Sequence, residues 1–184
     1  MSASSPDPSA RPSAAPDDPA PSVVARERAP AVAIVPLAAE HLSALVDLWV
    51  ASWAKTMSEI DFEARRPWLV EHIGRLEADG VAIRVALDGS VPMGFVTVDP
   101  DDGHLDQLCV APDGWGKGVA EALVDTARRL SPAGLHLAVN ADNRRAIRFY
   151  QRQGFVETGR GSNSRSGLPI VFMAWPGSAG DDQT

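Results

Sequence analysis

Leu42, Leu45, Val46, Trp49 and Trp53 recur at the three- and four-residue intervals of one helix face, behind a short apolar run from Ala31 to Pro36 that suits a first strand. Asp61 to Leu76 carries Trp68, Leu69, His72, Ile73 and Leu76 on a common stripe, which predicts a second helix or helix pair, interrupted near Pro67 and ended before Gly80. Val81 to Leu87 and Val91 to Val98 are β-rich runs parted by Asp88, Gly89 and Ser90, the punctuation of a hairpin. His104 to Ala111 alternates and stops at Pro112, as a strand does when proline removes its next donor. Gly116 to Leu130 then sets Val119, Leu123, Ala127 and Leu130 on one helical face, with Arg128 and Arg129 in the last turn where they suit the dipole. Leu135 to Val139 predicts another strand, and Asn143 to Arg152 a helix with Ala146, Ile147 and Tyr150 on one side, ended by Gly154. Phe155 to Thr158 and Ile170 to Trp175 predict a closing pair of strands. No internal repeat is visible. Three successive strands lack an intervening helix, so the order predicts an α/β fold of mixed, α+β-like kind and not a doubly wound sheet.

Composition narrows the possibilities. A length of 184 residues suits one domain with a substantial core. Residues 1–30 are rich in Pro, Ala and Ser and poor in large apolar groups, so they read as a disordered tail. The folded domain is expected over residues 31–176, with a flexible C-terminus over 177–184. A formal net charge of -7 leaves no basic field to hold nucleic acid or an anionic membrane, so a polyanionic ligand has to be held by local devices. Cys109 is the sole cysteine, which excludes an intramolecular disulfide framework and a multi-cysteine zinc site. No metal is expected. The first thirty residues lack the charged start and apolar run of a secretory signal, and no stretch approaches the roughly 20 apolar residues of a membrane span. A cytoplasmic protein without a membrane anchor is expected.

The chemistry is concentrated in Leu105-Asp106-Gln107-Leu108-Cys109-Val110-Ala111-Pro112 and the following Asp113-Gly114-Trp115-Gly116-Lys117-Gly118-Val119-Ala120. A strand here feeds through glycines straight into a helix. Such a junction leaves backbone N–H groups unpaired at the positive end of the helix dipole, and glycines let the backbone approach a bulky diphosphate. Two other phosphate loops do not fit. A Walker loop needs glycine at Ala111 and Ser or Thr at Gly118, and the dinucleotide fingerprint needs glycine at Val119 or a small residue at Glu121.

What the stretch resembles is the central motif of the GCN5-related N-acetyltransferases, the GNAT family: a strand L-x-V-x-P followed by R/Q-x-x-G-x-G/A. Leu108, Val110 and Pro112 match the strand, and Gly118 and Ala120 the loop. Trp115 stands where the family usually has Arg or Gln, and its indole offers one N–H and no charge. Lys117 is then the candidate for the missing charge. A second segment, Asn143, Ala146, Tyr150, Gly154 and Phe155, matches the family's N-x-x-A-x-x-x-Y-x-x-x-G-F signature. The resemblance extends over about Ala31 to Trp175, with the later half matched by motif.

The resemblance implies the GNAT fold, a central mixed sheet of about six to seven strands with helices on both faces. It also implies acetyl-CoA as cosubstrate, wedged where two central strands splay, and direct attack of an acceptor amine on the thioester. Backbone groups of Leu108, Cys109 and Val110 would pair with the pantetheine arm and polarise the thioester carbonyl. Trp115 and the segment Gly116, Lys117, Gly118, Val119 and Ala120 would receive the diphosphate. Asn143 would contact the cofactor arm or fix the helix start, and Tyr150 would protonate the departing thiolate. The attacking amine needs a proton acceptor. His104 and Asp106 share one face of their strand by its two-residue period, and His104 is the first choice. Cys109 lies between Leu108 and Val110 within a strand and reads as a small hydrophobe, not a nucleophile.

On the acceptor side, the loop Gly161 to Pro169 is polar and permissive enough to close over a site. Glu59, Asp61 and Glu63 would attract a cationic amine, or simply complement a helix start. The expected partner is a small-molecule or peptide amine, and a homodimer through an edge strand is common in this architecture. The alternative function is a non-catalytic acyl-CoA-binding sensor, for which Trp115 is the best argument.

Overall fold

Eleven principal elements follow the order that the apolar pattern predicts, in a computed structural model that describes residues 32–164 and 166–178. The expected N-terminal tail and most of the expected flexible C-terminus lie outside the described residues. Strand β1 (Ala33–Pro36) leads to helices α1 (Leu42–Thr56) and α2 (Arg66–Ala78), and then to strands β2 (Ala82–Asp88), β3 (Val91–Val98) and β4 (Leu105–Val110). Helix α3 (Val119–Leu130), strand β5 (Leu135–Asn140), helix α4 (Arg144–Arg152) and strands β6 (Val156–Ser162) and β7 (Pro169–Trp175) complete the fold. Pro67 does not interrupt α2 as expected. It lies in the first turn, where a missing N–H costs nothing.

The seven strands form two hydrogen-bonded sheets, β1-β2-β3-β4 and β5-β7-β6, each antiparallel throughout. Helices cover both faces of the first sheet, as alternation along its strands requires. On one face, Val96, Val98 and Leu105 pack with Val119, Leu123, Val124 and Ala127 of α3 and with Leu135, Leu137 and Tyr150. On the other, Val85, Phe95 and Cys109 pack with Leu45 and Trp49 of α1 and Leu69 and Ile73 of α2. Burying each such Leu, Val or Phe side chain stabilises the fold by about 1.5–3 kcal/mol.

What positions the site is the junction of the two sheets. A single parallel bridge, His104 with His136, joins β4 to β5. The His136 N–H donates to the Gly103 carbonyl at 2.9 Å. A Cβ on Gly103 would stand 2.3 Å from the Gly134 carbonyl oxygen, so only glycine permits this approach, and its φ of 77° asks for glycine as well. Beyond that pinch no ladder joins the two strands among the described residues, and the edge of β4 that faces β5 is left unpaired.

Candidate active site

Along β4 the hydrogen-bonding pattern decides which groups face the opening. The Ala111 N–H donates to the Met93 carbonyl at 2.8 Å, and the Gln107 N–H to Thr97 Oγ1 at 2.8 Å. By the alternation of an antiparallel ladder, residues 107, 109 and 111 turn their amides to β3, whereas Leu108 and Val110 turn theirs to the unpaired edge. This corrects the expectation for Cys109, whose amide belongs to the ladder. Register then slips by one residue, Thr97 opposing Gln107 and Val98 opposing Leu105, which leaves Asp106 as the extra residue of a bulge. Asp106 and Gln107 therefore both reach toward α1 and α2. Trp49 Nε1 donates to Gln107 Oε1 at 3.2 Å, and His72 Nε2 lies 2.6 Å from Asp106 Oδ2.

The open edge leads to the start of α3. That helix begins at Val119, three residues later than the sequence suggests, because Gly116 and Gly118 adopt φ of 76° and 80° and turn the chain before it. Trp115 and Lys117 spend their backbone N–H groups on Pro112 and Gly114, and the first helical donor is Ala122, bonded to Gly118. Among the described residues no acceptor is found for the N–H groups of Gly116, Gly118, Val119, Ala120 and Glu121. The result is a row of open donors at a helix N-terminus, with nothing within 4 Å of a Cβ built on Gly116. These residues fit an anionic group such as a diphosphate. The Lys117 side chain is exposed and has no carboxylate within ion-pair distance among the described residues.

Trp115 is not one of these open donors. Its Nε1–H donates to the Val110 carbonyl at 2.9 Å, closing one of the two outward positions on β4. Arg145 lies over the indole with its guanidinium carbon 3.8 Å from the ring centroid, and Lys55 Nζ lies 6.0 Å from the same centroid.

Tyr150, on α4, is 7% exposed and packs edge-on to Phe155 at 5.3 Å. Its hydroxyl has no hydrogen-bond partner among the described residues and is not one of the fully buried unpartnered atoms, so it remains free to donate. Burial first, and the neighbouring Cys109 second, push the phenol well above its ordinary pKa, which keeps it protonated. Burial likewise pushes the Cys109 thiol up to about 12, against the opposing effect of a hydrogen bond with Ser52. A thiol of that kind is no nucleophile at neutral pH. Asn143 caps α4 by accepting from the Ala146 N–H at 3.0 Å, so of its two expected roles the structure assigns the helix start.

The two proton-acceptor candidates have different surroundings. His104 is exposed at the pinch, stacked on His136 at 5.1 Å, with its backbone N–H on Asp102 Oδ1 at 2.7 Å. Asp106 is half-buried beyond the pinch and is held by His72, which itself stacks on Trp68 at 4.8 Å. On the acceptor side, Glu63 and Asp47 both pair with Arg66 at 2.5 Å, and Asp61 accepts from the Ala64 N–H at 3.1 Å. The late loop is a short hairpin connection closed by Asn163 N–H to Leu168 O at 2.8 Å and Gly167 N–H to Asn163 O at 2.7 Å; Gly161 and Ser162 belong to β6.

Comparison with known proteins accords with this geometry. The sequence model of the Acetyltransferase (GNAT) family matches residues 42–155. The chain belongs to the GNAT family. Its chemistry is accordingly that of an acetyl-CoA-dependent N-acetyltransferase. The peptidyl-lysine N-acetyltransferase YjaB of Escherichia coli is 31% identical over 137 residues, 73% of this chain and 90% of that protein. YjaB of Salmonella typhimurium is 38% identical over 86 residues, a match spanning 47% of this chain and 57% of that one. The solution structure of apo YjaB from Escherichia coli superposes with a TM-score of 0.64 at 28% identity, covering 80% of this chain and 99% of that chain. No helix among the described residues is long and apolar enough to cross a membrane.

Within this GNAT domain, the sequence reading did not find three side chains that the fold brings to the site. His72 reads as one more position on the α2 stripe, and its partner lies 34 residues away. Lys55 and Arg145 carry no motif signal, since their contact is with Trp115 across the fold. No spacing rule in the sequence pairs such residues.

Proposed function

We propose that this protein transfers an acetyl group from acetyl-CoA to the ε-amine of a lysine in a peptide or protein. The observation that carries the proposal is the open edge of β4, with the Leu108 amide directed into it, running from the pinch at His104 to the five open N–H groups at the start of α3. When bound, acetyl-CoA supplies the acetyl group in activated form, as a thioester. Leu108 and Val110 would hold the pantetheine arm through their outward N–H groups, and Gly116, Gly118, Val119 and Ala120 would hold the diphosphate. The Leu108 N–H would polarise the carbonyl under attack.

Two proton transfers complete the chemistry. Asp106, with His72 behind it, would accept the proton that the amine loses as its N–C bond forms. Tyr150 would give its proton to the sulfur as the C–S bond breaks, and a phenol held protonated by burial is suited to that task. Asp106 is preferred to His104 because it lies past the pinch, where the edge of β4 is unpaired, and has a ring nitrogen at 2.6 Å to share the proton. Lysine is favoured as acceptor because the relatives reported above are named for peptidyl-lysine acetylation.

The test is to incubate the full chain with acetyl-CoA and a panel of lysine peptides and free amines while following thiol release. Release that depends on a lysine peptide is expected. Release with free amines alone would replace the acceptor, and coenzyme binding without release under any amine would favour the non-catalytic sensor.

A further inference from the structure

Trp115 departs from the residue types usual at its position, and its surroundings assign it a different task. An Arg or Gln there would offer side-chain donors to a phosphate, but the one indole N–H is committed to the Val110 carbonyl at 2.9 Å. The ring faces remain, and cations gather over them. The Arg145 guanidinium lies 3.8 Å from the centroid, well within cation–π range, and Lys55 Nζ lies at 6.0 Å, near its limit. Arg145 stands in the first turn of α4, between Asn143 and the Ala146 N–H that Asn143 caps, so its backbone is fixed. Among the described residues no carboxylate lies within ion-pair distance of its guanidinium. Partial desolvation lowers its pKa with no anion to offset that cost. An arginine held over the ring of the residue that precedes the first open amide of the cradle, with no carboxylate beside it among the described residues, is arranged for an anion.

Resting on the reading of the site as an acyl-CoA cleft, we propose that Trp115 is a platform that holds Arg145 at the mouth of the cradle, where the guanidinium pairs with the coenzyme's diphosphate. The charge that the usual Arg supplies from the loop is thereby supplied from α4, across the cleft. A chain of net charge -7 has no general field for an anion, which makes one positioned cation count for more. Arg145 suits this better than the exposed Lys117 because the planar guanidinium can stack on the ring and present its edge donors to two phosphate oxygens at once.

The experiment is calorimetric titration of the full chain with coenzyme A, dephospho-coenzyme A and pantetheine. For R145Q, the dissociation constant for coenzyme A is expected to rise about tenfold or more, since charge-assisted hydrogen bonds are lost. The same rise is expected for dephospho-coenzyme A, which keeps the diphosphate, and none for pantetheine, which lacks it. R145K should lose part of the affinity because it keeps charge without the stacked plane. W115A should weaken coenzyme A similarly, and adding R145Q to W115A should cost little more, because the two residues act as a unit. R152Q, at the far end of α4, controls for net charge. An R145Q protein that binds coenzyme A as the wild type does would overturn the proposal, and a loss confined to coenzyme A with its 3′-phosphate would assign Arg145 to that phosphate instead. Failure of the wild type to bind any of the three would instead overturn the reading of the cleft itself.

Discussion

Tyr150 combines burial with an unpaired hydroxyl, and this makes it the residue on which the chemistry depends most. Tyr150→Phe keeps the ring contact with Phe155 and removes only the donor, so kcat should fall by about 10²-fold or more with little change in coenzyme affinity. Steady-state kinetics beside calorimetry would separate the two effects. Asp106→Asn should lower kcat by about 10²-fold. His72→Gln should lower it by about tenfold while leaving the KM for acetyl-CoA in place, the split expected of a residue that acts through Asp106. A purely structural His72 would instead lower the amount of active protein and leave kcat per folded site alone. Cys109 gives the contrasting case. Its thiol stays protonated, so Cys109→Ala should retain about half or more of the wild-type kcat, and complete loss in a folded protein would point to an acyl-cysteine mechanism.

At the scale of elements, α4 delivers Tyr150, Arg145 and the Asn143 cap together, so its first turn couples coenzyme binding to catalysis. Asn143→Ala removes an acceptor 3.0 Å from the Ala146 N–H and should cost about 1 kcal/mol in urea denaturation. It should also weaken coenzyme A, because it loosens the backbone that carries Arg145. The elements themselves were legible in the chain, because apolar period, glycines and prolines act locally: β3, β5 and α4 lie within a residue or so of their expected bounds. Departures arise where tertiary contacts intervene. Gly118 in the left-handed region delays α3, and the bulge at Asp106 breaks a period that reads as regular in sequence. The motif pointed to the cradle and to Tyr150, but the pairings of Asp106 with His72 and of Trp115 with Arg145 depend on chain crossings that no local pattern encodes.

For the whole molecule, the two buried weak acids Cys109 and Tyr150 make stability depend on alkaline pH. Cys109, pushed up to about 12 in the folded protein, retains its proton in a range where the unfolded chain, with a thiol pKa of about 8.5, has released it. The unfolded state then binds fewer protons, so stability falls as pH rises. This contribution is intact below about pH 8.5 and is lost progressively toward pH 12, with about 2 kcal/mol gone by pH 10. Tyr150 acts in the same sense above about pH 10. Urea denaturation between pH 7 and 10 should therefore show a steeper loss for the wild type than for Cys109→Ala. Coenzyme binding depends on an unpaired β4 edge that leads to a row of open amides, and nuclear magnetic resonance of the backbone reads those amides one by one. On titration with coenzyme A, the largest amide shifts are predicted at Gly116, Gly118, Val119, Ala120 and Glu121, with a second group at Leu108 and Val110. Saturable shifts confined to other surfaces, or no shifts in folded protein, would contradict that dependence.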